Sequence, residues 1–209
     1  MPTILLVRHG ENDMLQKGLA GRLPEIHLNE AGQRQAQEIA NALESAPIKA
    51  ILSSPMERAV ETAQPLARAK GLEVQVSAGL NEVDFGKWQG VTYEDLKADP
   101  LWKQVHEDPQ AVRFPEGETL VEVQQRAVAE IEKLAAEYGE KDVVACFTHG
   151  DVVRLVTAHY LNMTLKDFHR LLTFTASITT LHFDGVLPRV LNYNQVVNFR
   201  WPDEEEKKD

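Results

Sequence analysis

Twice in this chain a short apolar run leads directly into His-Gly. Ile4-Leu5-Leu6-Val7 leads into Arg8-His9-Gly10-Glu11, and a second run ends Cys146-Phe147-Thr148-His149-Gly150. Short continuous apolar runs read as strands buried on both faces, the kind found in parallel sheets covered by helices. Ligands of such open sheets bind outside the carboxyl ends of the strands. Each run therefore delivers an imidazole and a flexible backbone to the binding edge, and the first adds a guanidinium. An imidazole beside a guanidinium suits one task well: accepting a phosphoryl group while its oxygens are neutralised.

The rest of the chain alternates strand and helix signals, which points to an α/β fold. Thr3 to Val7 is the first strand. Asn29 is placed to cap a helix whose apolar face is Ala36, Ile39, Ala40 and Leu43. Lys49 to Ser53 is a strand. Ser54-Pro55 leads into a helix with Ala59, Ala63, Leu66 and Ala67 inward, ended by Gly71. Glu73 to Val76 is a short strand. Glu118 to Tyr138 reads as a long helix with Val121, Val128, Ile131, Leu134 and Ala135 inward. Asp142 to Thr148 is a strand and Asp151 to Tyr160 a helix. Asn162-Met163-Thr164 caps a further short helix containing Phe168 and Leu171. Ala176 to Phe183 and Val186 to Tyr193 read as a hairpin around Asp184-Gly185. The expectation is a three-layer α/β/α sandwich with a mostly parallel sheet and an antiparallel edge. Residues 1–200 form one domain in this reading, with 79–118 an insertion of short helices and loops covering the sheet edge. The charge run at 201–209 reads as a solvated, disordered tail.

Composition narrows the partners. The chain has 209 residues and a net charge of −10, which argues against nucleic acid and anionic membranes as partners. An anion site must then be a local concentration of Arg and His. No apolar stretch approaches the ~20 residues of a membrane span. Met1-Pro2-Thr3-Ile4 has no basic segment or cleavage site. Cys146 is the one cysteine, so no internal disulfide can form. A cytoplasmic setting is expected. Cys146 also lacks the arginine of a Cys-x5-Arg phosphatase loop, because Val152 holds that position, and it reads as a buried strand residue. No phosphate-cradling Gly-x4-Gly-Lys loop or Gly-x-Gly-x-x-Gly is present.

Four segments converge on the carboxyl edge of the expected sheet. They are Arg8-His9-Gly10-Glu11, Ser53-Ser54-Pro55-Met56-Glu57-Arg58-Ala59, Leu80-Asn81-Glu82 and His149-Gly150-Asp151. Arg58 falls in the first turn of a helix, a poor place for a cation near the dipole, which favours a role with an anion. Two Arg and two His gathered at strand ends and helix N-termini fit a phosphate. His27, His106, His159, His169 and His182 lack mutual ligand spacing and read as structural or exposed. Trp88, Trp102 and Phe114 serve equally well as pocket lining or as packing for the insertion.

These segments carry a resemblance to the histidine phosphatase superfamily, which includes cofactor-dependent phosphoglycerate mutases. The matching motifs are Arg-His-Gly-Glu, Ser-Ser-Pro-x-x-Arg-Ala-x-x-Thr-Ala, Leu-Asn-Glu followed by Gly-x-Trp-x-Gly, Gly-Glu-Thr and His-Gly, spanning Leu5 to about Asn194. The chain looks most similar to phosphatase-type bacterial members. The resemblance implies a phosphoglycerate mutase-like fold and His9 as the nucleophile that becomes phosphohistidine. It implies Arg8, Arg58 and His149 on the phosphoryl oxygens, and Glu82 as the acid that protonates the leaving oxygen and then activates water. Gly150, Gly21, Arg22 and Asn12 join the expected phosphate and substrate contacts. No metal and no cofactor is expected. The sequence departs from the family at Leu15, where an Asn commonly touches the phosphate; Asn12 and Asp13 are the nearest substitutes.

The reading is a phosphomonoester hydrolase acting on a small phosphorylated metabolite, with a homodimer possible. One alternative is a phosphoglycerate mutase-type phosphotransferase. Against it, Lys87, Lys97, Lys103 and Arg113 are scattered through the insertion and form no paired clamp for a carboxylate. A second alternative is a non-catalytic protein that binds a phosphorylated ligand.

Overall fold

The computed structural model describes residues 2–198. Six strands form one sheet: β1 (Thr3–Arg8), β2 (Ile48–Ser53), β3 (Val74–Val76), β4 (Val143–Thr148), β5 (Ile178–His182) and β6 (Arg189–Gln195). Their order is β3-β2-β4-β1-β5-β6. The first four strands in that order run parallel, and β5 and β6 add an antiparallel edge. The helices are α1 (Glu30–Ala42), α2 (Glu57–Lys70), α3 (Tyr93–Ala98), α4 (Pro100–Glu107), α5 (Leu120–Glu137) and α6 (Gly150–Tyr160).

The apolar runs alternate across the sheet and so build two cores. Ile4 and Leu6, Ala50 and Leu52, and Val144 and Cys146 face the layer that holds α5, α6 and the insertion. Leu5 and Val7, Ile51, and Ala145 and Phe147 face α1 and α2. Three layers follow directly: helices, sheet, helices. At roughly 1.5–3 kcal/mol for each large side chain fully buried, the two-sided burial is what makes β1 and β4 read as unbroken apolar runs.

Local signals set the helix ends. Asn29 caps α1, its Oδ1 accepting from the Gly32 N–H at 2.9 Å. Gly71 closes α2 in the left-handed region at φ 63°. Thr119 and Glu122 form a reciprocal capping box at the start of α5: the Thr119 hydroxyl accepts from the Glu122 N–H at 3.1 Å, and the Glu122 carboxylate accepts from the Thr119 N–H at 2.8 Å. This box starts α5 at Leu120 and leaves Glu118, expected inside the helix, free to turn toward the sheet edge.

Two other expectations are corrected. The element after Thr164 is a single 3-10 stretch, Leu165–Arg170. The final strand begins at Arg189 rather than Val186. Asp184 accepts hydrogen bonds from the N–H groups of Val186 and Leu187 at 2.9 Å each, which holds those residues in a turn. Pro188 has no N–H to offer a ladder, so pairing resumes only after it. Val186 and Leu187 are left 90% and 63% exposed. The expected tail, 201–209, lies outside the described residues. Among the described residues, no helix is long and apolar enough to cross a membrane.

The topology positions the site. β1 and β4 are adjacent and parallel, with Arg8 opposite Thr148. After β1 the chain leaves toward α1 on one face, and after β4 it enters α6 on the other. Their carboxyl ends therefore flank a crevice, the place where open α/β sheets bind ligands. His9 and His149 are the next residue on each strand.

Candidate active site

His9 and His149 meet across the crevice with ring centroids 5.2 Å apart. The loop after β1 reaches this position because Gly10 and Gly32 let it run against α1. A Cβ on Gly10 would sit 2.8 Å from the Gly32 carbonyl oxygen, and one on Gly32 would sit 2.1 Å from that of Glu11. The Gly10 N–H also donates to the Thr62 hydroxyl on α2 at 2.9 Å, and that hydroxyl donates to the Arg58 carbonyl at 2.6 Å. The loop that carries His9 and the Arg58 turn are thus one hydrogen-bonded unit.

The tautomer of His9 follows from its partner. Nδ1 lies 2.7 Å from the Gly10 carbonyl oxygen. A carbonyl only accepts, so Nδ1 carries the proton and Nε2 keeps its lone pair. Burial holds the His9 pKa well below its ordinary value, and the charges of Arg58 and Arg8 lower it further. His9 is therefore a neutral imidazole lining a cavity of about 390 Å³.

Arg58 is 1% exposed. Its Nη2 donates to the Gly21 carbonyl at 2.8 Å and to Nδ1 of His149 at 3.2 Å. Its Nε and Nη1 are buried with no partner among the described residues, as are Nε of Arg8 and Nδ2 of Asn12. Arg8 is held through Nη1 on the Thr173 carbonyl, and it packs against the start of α6, where a Cβ on Gly150 would meet Arg8 Nε at 3.2 Å. Buried donors are normally satisfied. Three guanidinium nitrogens and an amide nitrogen beside a neutral imidazole form a cradle that suits a multiply charged oxyanion. The N-terminus of α6 adds its dipole.

His149 is fully buried. Nε2 lies 2.7 Å from the Ser54 hydroxyl, and Nδ1 accepts from Arg58. Burial lowers its pKa well below the ordinary value, helped by Arg58 and His9. Glu82 approaches the same Nδ1 to 3.5 Å, with a side chain 12% exposed. Burial raises the Glu82 pKa against the opposing pull of Arg58, the Val83 N–H, Arg8 and Arg126. A carboxyl whose neutral form burial favours thus stands beside the cradle.

Glu82 keeps its place through residues that the sequence reading gave no role. Arg126 on α5 donates to the carbonyls of Gly79 at 3.0 Å, Asn81 at 2.8 Å and Glu82 at 2.9 Å. Glu118 accepts from Arg126 Nε at 2.9 Å. Burial pushes the Glu118 carboxyl up, but hydrogen bonds from Arg126 and the Asp84 N–H bring it below the ordinary carboxylate range. Arg22, expected at the phosphate, is part of this cage. It donates to the Glu82 carbonyl and to Glu118, both at 2.9 Å, and its side chain does not line the cavity. The signals were present in Gly117-Glu118-Thr119 and in Thr119-x-x-Glu122, which frees Glu118 from the helix.

The other expected residues fall as follows. Asn12, Gly21, Gly150 and Leu15 line the cavity. Asp13 turns away to Asn29 at 3.2 Å. Trp88, Trp102 and Phe114 both line the cavity and pack together, with centroids 6.0 and 5.5 Å from Trp88. Lys87, Lys103 and Arg113 pair with Glu116, Glu107 and Glu122, away from the cavity. His106 and His169, read as structural or exposed, stack on each other at 5.1 Å on the cavity wall.

A buried imidazole with a free Nε2, two guanidiniums with unpartnered donors and a carboxyl whose pKa burial raises, gathered at a sheet switch point, are the groups that phosphoryl transfer requires. The chain belongs to the histidine phosphatase superfamily (branch 1), whose model matches residues 4–196. It is 30% identical over 196 residues to phosphoserine phosphatase 1 of Hydrogenobacter thermophilus, covering 93% of this chain and 92% of that one. It is 29% identical over 201 residues to a 2,3-bisphosphoglycerate-dependent phosphoglycerate mutase of Thermoplasma acidophilum, covering 94% of each. A mycobacterial glucosyl-3-phosphoglycerate phosphatase superposes with a TM-score of 0.82 at 28% identity, covering 92% of this chain and 98% of that one. The protein is an enzyme that hydrolyses phosphomonoesters.

Proposed function

We propose that hydrolysis proceeds on small phosphorylated metabolites through a phosphohistidine at His9, with Glu82 as acid and then base. The observation that carries this reading is the His9–Gly10 hydrogen bond. It leaves the lone pair on Nε2, beside guanidinium donors that have no partner among the described residues. Nε2 attacks phosphorus as the ester P–O bond breaks. The leaving alkoxide takes the proton of the Glu82 carboxyl. Arg8 and Arg58 hold the equatorial oxygens, where the planar fork of Arg can bind two at once. In the second half, the Glu82 carboxylate accepts a proton from water, the water oxygen forms the new P–O bond and the P–N bond breaks. Phosphate leaves, and His9 and Glu82 return to their starting states.

His149 ties the two halves together. In the neutral form its Nδ1 accepts from Arg58 and its Nε2–H reaches Ser54. The arrival of a phosphoryl dianion favours the imidazolium, which then donates through Nδ1 to an oxygen.

The test compares wild type with His9→Ala on p-nitrophenyl phosphate and a metabolite panel, with ³²P trapping of the quenched enzyme. Acid-labile label on wild type and none on His9→Ala is the expected result. Phosphate release by His9→Ala at the wild-type rate would refute the assignment. Interconversion of phosphoglycerates without net phosphate release would replace hydrolysis by mutase chemistry.

A further inference from the structure

The cavity that holds Arg8 and Arg58 is lined by a third cation, Arg154, to which the proposed mechanism gives no role. Burial disfavours its charged form, and it stands within electrostatic reach of Arg8 and Glu82. It lies one turn after Gly150 on α6, about 5.4 Å further along the helix. Gly150, Asp151 and Arg154 all line the cavity, so the same helix face that abuts Arg8 also presents Arg154. The Arg154 side chain is 22% exposed. Nη2 donates to Asp151, its one hydrogen bond among the described residues. The guanidinium carbon stands 5.2 Å from the centroid of the Phe168 ring. Asp151 and Phe168 thus fix the plane of a group with five N–H donors and occupy one of them.

We infer that Arg154 is a second binding subsite, one that takes a carboxylate on the alcohol portion of the substrate, with Asp151 as its positioning residue. This rests on the phosphatase reading of His9 and adds to it a class of substrate. The planar fork matches a carboxylate in two-point contact. A second phosphoryl group fits less well, because its two negative charges would face Asp151 with one cation to neutralise them. An uncharged alcohol would leave the guanidinium donors unmatched.

A plainer structural role makes a different prediction. An acidic residue in the first turn of a helix, paired with an Arg three residues on, steadies the helix by itself. In that case removing Arg154 lowers stability and treats every ester alike. Two esters that differ at one carbon separate the roles. 3-Phosphoglycerate carries a carboxylate where glycerol 3-phosphate carries a hydroxymethyl group. The experiment measures kcat and KM of wild type, Arg154→Met and Arg154→Lys on both, with p-nitrophenyl phosphate as the generic control. Methionine keeps the contact with Phe168 and removes the fork; lysine keeps a charge without it.

Wild type is expected to prefer the carboxylate ester at least tenfold in kcat/KM. A hydrogen bond to a charged group contributes about 1.5–3 kcal/mol, which is roughly 10- to 100-fold. Arg154→Met is therefore expected to reduce the preference by about that factor, chiefly through KM, and Arg154→Lys to fall between. Equal wild-type rates on the two esters would overturn the subsite, as would equal losses on both in Arg154→Met. His9-dependent turnover of p-nitrophenyl phosphate alongside either result would leave the phosphatase reading standing. No turnover of any ester would remove both.

Discussion

Replacing Arg126 by methionine tests whether the Glu82 segment is held from below. The side chain is 21% exposed and binds the carbonyls of Gly79, Asn81 and Glu82 together with the Glu118 carboxylate. Methionine matches the aliphatic stem and removes every donor. Arg22 still reaches the Glu82 carbonyl and Glu118, so those two acceptors keep a partner. The Gly79 and Asn81 carbonyls have no other donor among the described residues. An acceptor left unmatched costs about 1–3 kcal/mol, less where water reaches it, so the pair gives about 2–3 kcal/mol. For a chain of this length, about 2–4 °C of Tm follows each kcal/mol, and the melting temperature should fall by roughly 5–10 °C. The kinetic effect is the sharper one. Misplacing a reacting group by about 1 Å can cost about 100-fold, and Glu82 sits directly on the freed segment. Arg126→Met should therefore lower kcat on an alkyl phosphate by about that factor. KM should change only a few-fold, because Arg8 and Arg58 are carried on β1 and α2. Melting curves and initial rates decide it. An unchanged Tm refutes the cage; a lowered Tm with an intact kcat refutes its link to Glu82.

Two further outcomes follow from the titrating groups. Glu82→Gln should lower turnover of alkyl esters by about 10²- to 10⁴-fold, while p-nitrophenyl phosphate, with a good leaving group, gives a burst of nitrophenol and then stalls as phosphohistidine accumulates. Steady turnover at the wild-type rate would remove Glu82 from both roles. Stability should fall on acidification. His9 and His149 have folded pKa values well below the ordinary 6.5, chiefly from burial, so the folded state binds fewer protons than the unfolded. Their contribution is complete above about pH 6.5 and is lost as pH falls through the window beneath it, at up to about 2.7 kcal/mol per pH unit for two protons. His27, raised by its hydrogen bonds to Glu61 and Glu25, works in the opposite direction at the surface. Urea unfolding at pH 7.5 and 5.5 should show the loss, smaller in His9→Gln and in His149→Gln; equal stability at the two pH values would contradict it.

The sheet and the inner site were legible because the signals are local. A buried parallel strand reads as an apolar run, and its carboxyl end is where the next residue must appear. His9, His149 and Arg58 are each within a few residues of a strand end, so topology alone brings them together. Asn29 and Gly71 announced helix ends by residue type. What the sequence concealed depends on contacts across long separations. Arg22 is an arginine in a site-like loop, and nothing local says that Glu118, 96 positions on, draws it under Glu82. Arg126 and Arg154 sit on amphipathic helices, where arginine is ordinarily a solvated residue. His106 and His169 meet only because α4 packs beside the 3-10 stretch at Leu165–Arg170. The start of β6 was misplaced because Val186 and Leu187 look like strand residues, while Asp184 uses their N–H groups for a turn.

The same buried donors that read as a phosphate cradle make the site a place where ligand and stability are linked. Arg8 and Arg58 are like charges in one crevice, with Nε of each and Nη1 of Arg58 lacking partners among the described residues. Burial disfavours the charged form of both, so folding draws these cations out of water at a cost that an oxyanion offsets. Nη2 of Arg58 is committed to Gly21 and His149, which leaves Nε–H and Nη1 as unpartnered donors directed to different sides of the guanidinium. A lysine at this position offers a single ammonium and cannot supply both directions while also holding Gly21 and His149. Inorganic phosphate at 100 times its Kd should stabilise the fold by about 2.7 kcal/mol, raising Tm by roughly 5–10 °C, and the gain in Arg58→Lys at the same concentration should be less than half as large. Chloride at matched ionic strength screens charges without satisfying both donors, so it should give little shift. A chloride shift equal to that of phosphate, or an undiminished phosphate shift in Arg58→Lys, would show that the orphaned donors are not the anion site.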